Sequence, residues 1–174
     1  MHRFRSASVS DLPVIYDMQN VPLRERILNL PLPPPEKFLA ETSPKMGSTE
    51  FYFLHEDSDS PIGFIHIKKS EQSWEPTIWG KWLNTLVYGT VKAAFDHLKL
   101  PRLNWSVRKA NQRALQCYQR HQFRVTGTGN ICNIQPGFEF IAIGPVVMFE
   151  ITDPEFRERE DYMIKSSLPV CFDW

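Results

Sequence analysis

The sequence predicts an α/β (α+β) domain in which a mixed, mostly antiparallel central sheet is flanked by helices. Apolar residues recur at helical spacing between residues 83 and 98, with a strand-like segment on each side. A strand–helix–strand unit implies a parallel strand pair joined by a right-handed crossover. Strand-like segments separated by turn residues lie on both sides of this unit, and they predict the antiparallel part of the sheet.

Length and composition are those of an ordinary globular domain. The 174 residues are 42% hydrophobic and 23% charged with a net charge of zero, which gives no broad electrostatic attraction to nucleic acid or to a membrane. The three cysteines form no CxxC pair, which favours a reducing compartment. The N-terminus lacks the apolar core of a signal peptide, and no apolar run approaches a membrane span. A cytoplasmic location is therefore expected.

The N-terminal part of the chain predicts one strand and two helices. The strand is expected at Phe4 to Ser8, and Ser10 is the expected N-cap of the first helix. The proline-rich segment from Asn20 to Pro35 is expected to be irregular, because proline forbids a central strand. Glu36 to Thr42 is expected to form a short helix.

Three strands and a long helix are expected next. Phe51 to His55 and Ile62 to Lys69 flank turn residues and predict a hairpin, and a further strand is expected around Gln72 to Ile78. Leu83 to Leu98 carries a single apolar stripe and predicts an amphipathic helix, which Leu100-Pro101 ends.

The remaining elements complete the predicted order. A strand at Arg102 to Val107 precedes a helix from Asn111 to about His121. Phe123 to Gln135 and Ile141 to Thr152 predict two antiparallel strands. We place one domain at residues 1–156, followed by a C-terminal tail at 157–174 that packs on the domain or extends from it.

A glycine-containing turn opens the long helix and reads Trp79-Gly80-Lys81-Trp82-Leu83-Asn84. Proteins hold pyrophosphate at such turns, because backbone N–H groups point outward and the helix dipole favours an anion. The next helix begins with Asn111 and carries Ala114 and Tyr118 before Phe123. These four residues fit the pattern Asn-x-x-Ala/Ser-x-x-x-Tyr-x-x-x-Gly-Phe.

This pattern resembles that of the GNAT N-acyltransferases, and the chain is most similar to the ribosomal-protein N-terminal acetyltransferase type. The resemblance implies the GNAT fold and the transfer of an acetyl or other acyl group from acyl-CoA to a primary amine. Transfer would occur by direct attack in a ternary complex. The pyrophosphate loop departs from the family pattern, because Trp82 and Asn84 replace glycines there and Gln122 replaces the glycine before Phe123.

The resemblance also implies roles for individual residues. Tyr118 is the candidate general acid, and Glu75 on the strand before the loop is the candidate base, with Glu71 as second choice. His66 alternates with Phe64 on a strand and is more often structural in such a position. The residues implied to bind acetyl-CoA are Trp79, Gly80, Lys81, Trp82, Leu83, Asn84, Asn111, Arg113 and Ala114.

Two alternatives stay open. A GNAT fold that has lost turnover would serve as a binding or regulatory module, with Trp79 and Trp82 as interface residues. An acyl carrier protein would be the donor if the nucleotide end of CoA were not needed. The expected partner is an amine-bearing small molecule or a protein N-terminus, with no nucleic acid, membrane or metal, and the chain is expected to be a monomer or homodimer.

Overall fold

The strands of the domain divide into two sheets. In the computed structural model, which describes residues 1–19, 33–71, 73–133 and 141–174, the strands are β1 His2–Ser6, β2 Glu50–Asp57, β3 Ser60–Lys69, β4 Trp74–Gly80, β5 Arg102–Arg108, β6 Arg124–Asn133, β7 Ile141–Thr152 and β8 Val170–Asp173. The larger sheet has the order β4-β3-β2-β1-β8, and the smaller sheet has the order β5-β7-β6.

The helices lie between and beside these strands. They are α1 Leu12–Gln19, α2 Pro35–Thr42, α3 Leu83–Lys92, α4 Gln112–Arg120 and α5 Asp153–Ser166. Short 3-10 turns occupy Val9–Asp11 and Ser43–Lys45, and a π-helical turn at Ala93–His97 continues α3. None of these described helices is long and apolar enough to cross a membrane.

The predicted fold class is confirmed, with one difference in the position of the parallel ladder. The sequence predicts parallel strands before and after the long helix, which are β4 and β5. In the structure these two strands lie near each other but belong to different sheets. The parallel ladder instead joins β1 to β8, where His2 pairs with Val170 and Arg5 with Asp173. Local periodicity cannot show this pair, because its strands lie at opposite ends of the sequence.

Most element boundaries lie within two residues of those predicted, and the exceptions are the start of the first helix and the C-terminal elements. Ser8 caps the 3-10 turn that leads into α1, because Asp11 accepts hydrogen bonds from the backbone N–H and the hydroxyl of Ser8, and the predicted N-cap Ser10 lies inside that turn. Residues 20–32 of the segment predicted to be irregular lie outside the described residues.

Two hydrophobic clusters cover opposite faces of the larger sheet. The first lies beneath α3 and includes Phe53, Ile65 and Ile67, and it continues into the smaller sheet. The second lies beneath α1 and α2, where Leu12 and Phe38 pack against alternate residues of β2 and β3. We call this second side the α1–α2 face.

Strands β3 and β4 approach each other closely at two glycines. A Cβ atom on Gly63 would lie 2.7 Å from the carbonyl oxygen of Trp79, and one on Gly80 would lie 2.5 Å from the Cα atom of Gly63. Gly80 also has a φ of +138°, which favours glycine. The chain can leave β4 toward α3 at this point because neither residue has a side chain.

The C-terminal residues form α5 and β8. Phe156 and Met163 of α5 are fully buried, and β8 hydrogen-bonds along β1. The division at residue 156 falls inside α5 and stays a prediction about domain boundaries.

Candidate functional site

A cavity of about 390 Å³ opens at the N-terminal end of α3. Its walls come from α3, α4 and the segment after α5, and the lining residues are Trp82, Leu83, Asn84, Thr85, Arg113, Arg120, Ser166, Ser167 and Leu168. The structure therefore brings together four of the residues implied to bind acetyl-CoA, namely Trp82, Leu83, Asn84 and Arg113. We call this space the α3 cavity.

The first turn of α3 presents hydrogen-bond donors to this cavity. The first N–H groups of any helix have no partner within the helix, and together they carry a partial positive charge. The residue before α3 is Trp82, which provides no side-chain cap for these groups. An anion in the α3 cavity would satisfy them.

Two arginines on α4 add positive charge to the same space. Arg113 and Arg120 are seven residues apart, which places them on one side of the helix. Both are exposed, and neither forms an ion pair within the described ranges. The cavity therefore combines a helix N-terminus with two guanidinium groups, which is a suitable arrangement for phosphate.

Asn84 connects the three walls of the cavity. Its side-chain oxygen lies 3.1 Å from the Cys117 sulfur on α4, and its amide nitrogen donates to the Ser166 carbonyl over 3.3 Å. The Leu168 N–H donates to the Thr85 hydroxyl over 3.0 Å. Burial raises the pKa of the Cys117 thiol to about 11, so this cysteine is an uncharged structural group.

Trp82 lies at the rim of the cavity. Its φ and ψ are 62° and 61°, the left-handed conformation that glycine adopts most easily, and its side chain is 52% exposed. The indole ring therefore points largely into solvent, and the interior of the cavity stays open.

The other residues of the turn have different surroundings. The indole of Trp79 packs against the second hydrophobic cluster, on the α1–α2 face. Gly80 makes the close contact with Gly63 described above, and Lys81 is exposed. None of these three lines the α3 cavity as far as the described residues define it.

The signature residues on α4 occupy the start and the buried side of this helix. The side-chain oxygen of Asn111 accepts a hydrogen bond of 3.2 Å from the Ala114 N–H, so Asn111 caps the helix. Ala114 is buried. Tyr118 is 3% exposed and its ring lies 5.5 Å from those of Trp105, Phe123 and Phe149.

Burial raises the pKa of the Tyr118 phenol above its ordinary value. The hydroxyl therefore stays protonated at neutral pH, which suits a proton donor. A buried aromatic residue in a packed cluster also contributes to stability, and the two roles are compatible.

Glu75 lies on β4 with its side chain exposed. It is directly opposite Lys68 on β3, and Ser73 donates a hydrogen bond of 3.4 Å to its carboxylate. Successive strand residues alternate between the two sides of a sheet, so Glu75 shares the α1–α2 face with Thr77 and Trp79. His66 is opposite Thr77 and projects from the same face.

Sequence reasoning misses part of the cavity. Arg120 could have been found, because its spacing of seven from Arg113 places both on one helix face. Ser166, Ser167 and Leu168 carry no local signal, since they reach α3 only through tertiary packing. Among the residues that the structure describes, no group of three or more His, Cys, Asp or Glu side chains is placed to hold a metal ion.

Comparison with known proteins identifies the fold. No protein-family model matches the chain, and no curated protein matches it significantly. The aminoglycoside acetyltransferase AAC(6')-Ib in complex with coenzyme A is 17% identical, with a TM-score of 0.68 over 92% of this chain and 99% of that one. Its complex with paromomycin and acetyl-CoA has a TM-score of 0.66 at 17% identity and covers 90% and 96% of the two chains.

A second protein shares the fold over nearly its full length. The dodecameric structure of spermidine N-acetyltransferase from Vibrio cholerae is 18% identical, with a TM-score of 0.70 over 91% of this chain and 97% of that one. At these identities the likeness establishes architecture. The chain has the fold of these acetyltransferases, which is the GNAT fold.

Proposed function

We propose that the protein is an N-acyltransferase that moves an acetyl, or another acyl, group from a CoA thioester to a primary amine. The observation that carries this proposal is the α3 cavity, where uncapped N–H groups meet Arg113 and Arg120. The pyrophosphate of CoA is complementary to this site in charge and in hydrogen bonding. Neighbours of the same fold hold coenzyme A or acetyl-CoA.

The proposed reaction is direct attack in a ternary complex. The amine nitrogen forms a bond to the thioester carbonyl carbon, the C–S bond breaks, and the CoA thiolate leaves. A backbone N–H at the end of β4, where β4 and β5 separate into different sheets, would polarise the carbonyl. Tyr118 would then give its proton to the thiolate.

The proposed acceptor is a cationic primary amine. The neighbours include enzymes named for spermidine and for aminoglycosides, which are both amines. Similarity to the ribosomal-protein N-terminal acetyltransferase type adds a protein N-terminus as a second acceptor class. Glu75 is the base that the sequence predicts, and its exposed carboxylate would also attract an ammonium group. We further propose a monomer or homodimer that acts in the cytoplasm without a metal.

Calorimetric titration with acetyl-CoA tests the donor site. We expect saturable binding by the wild-type protein and at least tenfold weaker binding by the double variant Arg113→Gln/Arg120→Gln, which is a loss of about 1.4 kcal/mol or more. The matched control is Lys37→Gln, an exposed charge on α2 that should leave the affinity unchanged. Equal affinity in the double variant would contradict the placement of the phosphates.

The role of Tyr118 is tested with Tyr118→Phe. This change keeps the packed ring and removes the hydroxyl, so we expect kcat to fall by about 10²-fold or more while acetyl-CoA affinity stays the same. The release of the CoA thiol measures the rate. An unchanged kcat would remove Tyr118 from the reaction.

The alternative functions have one observation in their favour. Trp82 occupies a position where the family has glycine, and it forms part of the cavity wall. A binding module would bind neither acetyl-CoA nor longer acyl-CoAs in the titration. An enzyme that uses an acyl carrier protein would transfer from the carrier protein and bind CoA weakly.

A further inference from the structure

A buried polar cluster lies on the α1–α2 face, outside the α3 cavity. Glu50 and Tyr52 on β2 and His66 on β3 form it. One carboxylate oxygen of Glu50, Oε2, lies 3.1 Å from His66 Nε2 and accepts a 3.1 Å hydrogen bond from the Tyr52 hydroxyl. The Tyr52 and His66 rings stack with centroids 4.1 Å apart and planes 4° from parallel.

The carboxylate of Glu50 is ionised although it is buried. Its side chain is 8% exposed, and burial alone would raise its pKa. The contacts with His66, Tyr52 and Lys45 together outweigh burial and hold the pKa of Glu50 below its ordinary value. A buried charge of this kind needs partners, and its removal from water must be offset by them.

This arrangement fixes the histidine ring. Nε2 faces the carboxylate, so the Nε2–H tautomer is favoured and the lone pair lies on Nδ1. Nδ1 has no hydrogen-bond partner in the described part of the chain, and the side chain is 17% exposed. A carboxylate that orients an imidazole and leaves its second nitrogen free keeps a lone pair available on that nitrogen, which is what a proton acceptor requires.

The cluster lies close to the end of β4. His66 is directly opposite Thr77, two residues before Trp79. Strand geometry places the Cα atom of His66 about 8 Å from that of Trp79. The α3 cavity lies on the side of the larger sheet opposite to His66. The two sides are connected through the gap where β4 and β5 separate into different sheets. A donor bound at α3 and an amine on the α1–α2 face would meet at this opening.

We propose that His66, oriented by Glu50, takes the proton from the acceptor amine. This inference rests on the proposed function and assigns the acceptor side of the same site. The ammonium form of the acceptor has no lone pair, so it first loses one proton to water. As the C–N bond then forms and the C–S bond breaks, the second proton on the nitrogen moves to His66 Nδ1, directly or through one water. His66 is then the catalytic residue, Glu50 is a positioning residue, and the acceptor class is a primary amine that is charged in solution.

Other charged groups face the same region and are part of the test. They are Lys45 after α2, Lys68 on β3 and Glu75 on β4, together with the titratable phenol of Tyr16 on α1. Glu75 is the competing base. It is exposed, so it has neither the orientation nor the dry surroundings of the Glu50–His66 pair.

The first experiment needs no turnover. Long-range ¹⁵N spectra of the imidazole side chains report the tautomer of neutral His66, and we expect the Nε2–H form. Glu50→Gln should reduce that preference. A neutral Nδ1–H form in the wild-type protein would overturn the proposal, because the nitrogen assigned as acceptor would already carry a hydrogen.

The second experiment measures acetyl transfer from acetyl-CoA to spermidine, kanamycin and a short peptide with a free α-amino group. In His66→Gln the side-chain amide can still donate to Glu50, so the fold should be retained. We expect kcat/KM for the best amine to fall about 10²-fold. Acetyl-CoA affinity should stay within twofold.

Two further variants distinguish this assignment from its alternatives. Glu50→Gln should lower kcat while acetyl-CoA affinity stays within twofold, because the imidazole loses the carboxylate that orients it. His97→Gln, on the π-helical turn after α3, should change neither kcat nor kcat/KM. If Glu75→Gln lowers kcat/KM about 10²-fold and His66→Gln leaves it unchanged, Glu75 is the base and the proposal is wrong. Failure of acetyl-CoA to bind wild-type protein would instead contradict the proposed function, and the tautomer measurement would still decide the orientation of His66.

Discussion

Five of the described non-glycine residues have a left-handed backbone conformation, which their side chains do not favour. Trp82 and Gln122 have φ values of 62° and 56°, and both stand where the resemblance places glycine. The substitutions therefore change the side chains and leave the left-handed turns in place. A non-glycine residue in this region carries strain of about 1–2 kcal/mol. The sequence reveals the missing glycines, but it does not show that the turns survive.

Replacement of Gln122 by glycine should stabilise the protein. Gln122 follows the last turn of α4, and the Phe123 N–H donates to the Tyr118 carbonyl across it over 3.0 Å. Gln122→Gly removes the strain from an exposed position, and we expect the free energy of unfolding to rise by about 1 kcal/mol. Urea unfolding measures the change.

The matched control for this prediction is Gln116→Gly on the same helix. Gln116 is exposed and helical, so glycine there should lower the free energy of unfolding by about 1 kcal/mol. Equal losses at both positions would show that Gln122 is not strained.

At the scale of elements, the close approach of β3 and β4 requires glycine at positions 63 and 80. Gly63→Ala would place a Cβ atom 2.7 Å from a backbone oxygen, which cannot move independently of β4. We expect a loss of about 1–3 kcal/mol in thermal or urea unfolding. Gly129→Ala on β6 is the control, since a Cβ atom there meets nothing within 4 Å. A similar effect of the two changes would contradict the close approach.

The C-terminal elements show why part of the fold cannot be predicted from local sequence patterns. Residues 157–161 are strongly charged and predict a tail, yet they continue α5. Their charges meet partners on the helix beneath, where Glu160 lies 2.9 Å from Lys92 and Arg157 pairs with Asp96. Such pairs join residues more than 60 positions apart, so no local window contains both partners.

At the scale of the whole molecule, two buried histidines limit stability in acid. His55 is 0% and His121 is 2% exposed, and within the described ranges neither ring has a hydrogen-bond partner. Burial lowers the pKa of each to about 4, helped by His2 beside His55 and by Arg120 beside His121. Unfolding exposes both rings to water, where the ordinary pKa is 6.5.

We therefore expect the free energy of unfolding to fall as the pH decreases from about 6.5 to 4. In this window the unfolded chain binds protons that the folded chain does not. His121→Leu should make the difference between pH 7 and pH 4.5 smaller, whatever its effect at pH 7. Urea unfolding at the two pH values checks this, and an undiminished difference would show that His121 does not titrate on unfolding.

The sequence predicts the order of the elements well because each has its own periodicity or turn residues. The stripe from Leu83 to Leu98 and the signature from Asn111 to Phe123 locate α3 and α4, which form two of the three walls of the cavity. The pairing of β1 with β8 is not predictable in this way, nor is the contact of Ser166 to Leu168 with α3. The Glu50–His66 pair cannot be predicted in this way either, because it depends on the register in which β2 pairs with β3.

The position of β8 has a consequence for the behaviour of the protein in concentrated solution. Without β8, the larger sheet would end at β1 with a row of unpaired backbone groups, a surface on which other chains can add strands and aggregate. Instead the outermost strand has four residues, begins after Pro169 and ends at the exposed carboxylate of Asp173. A short edge bounded by proline and a negative charge discourages such addition, so β8 acts as a barrier to self-association.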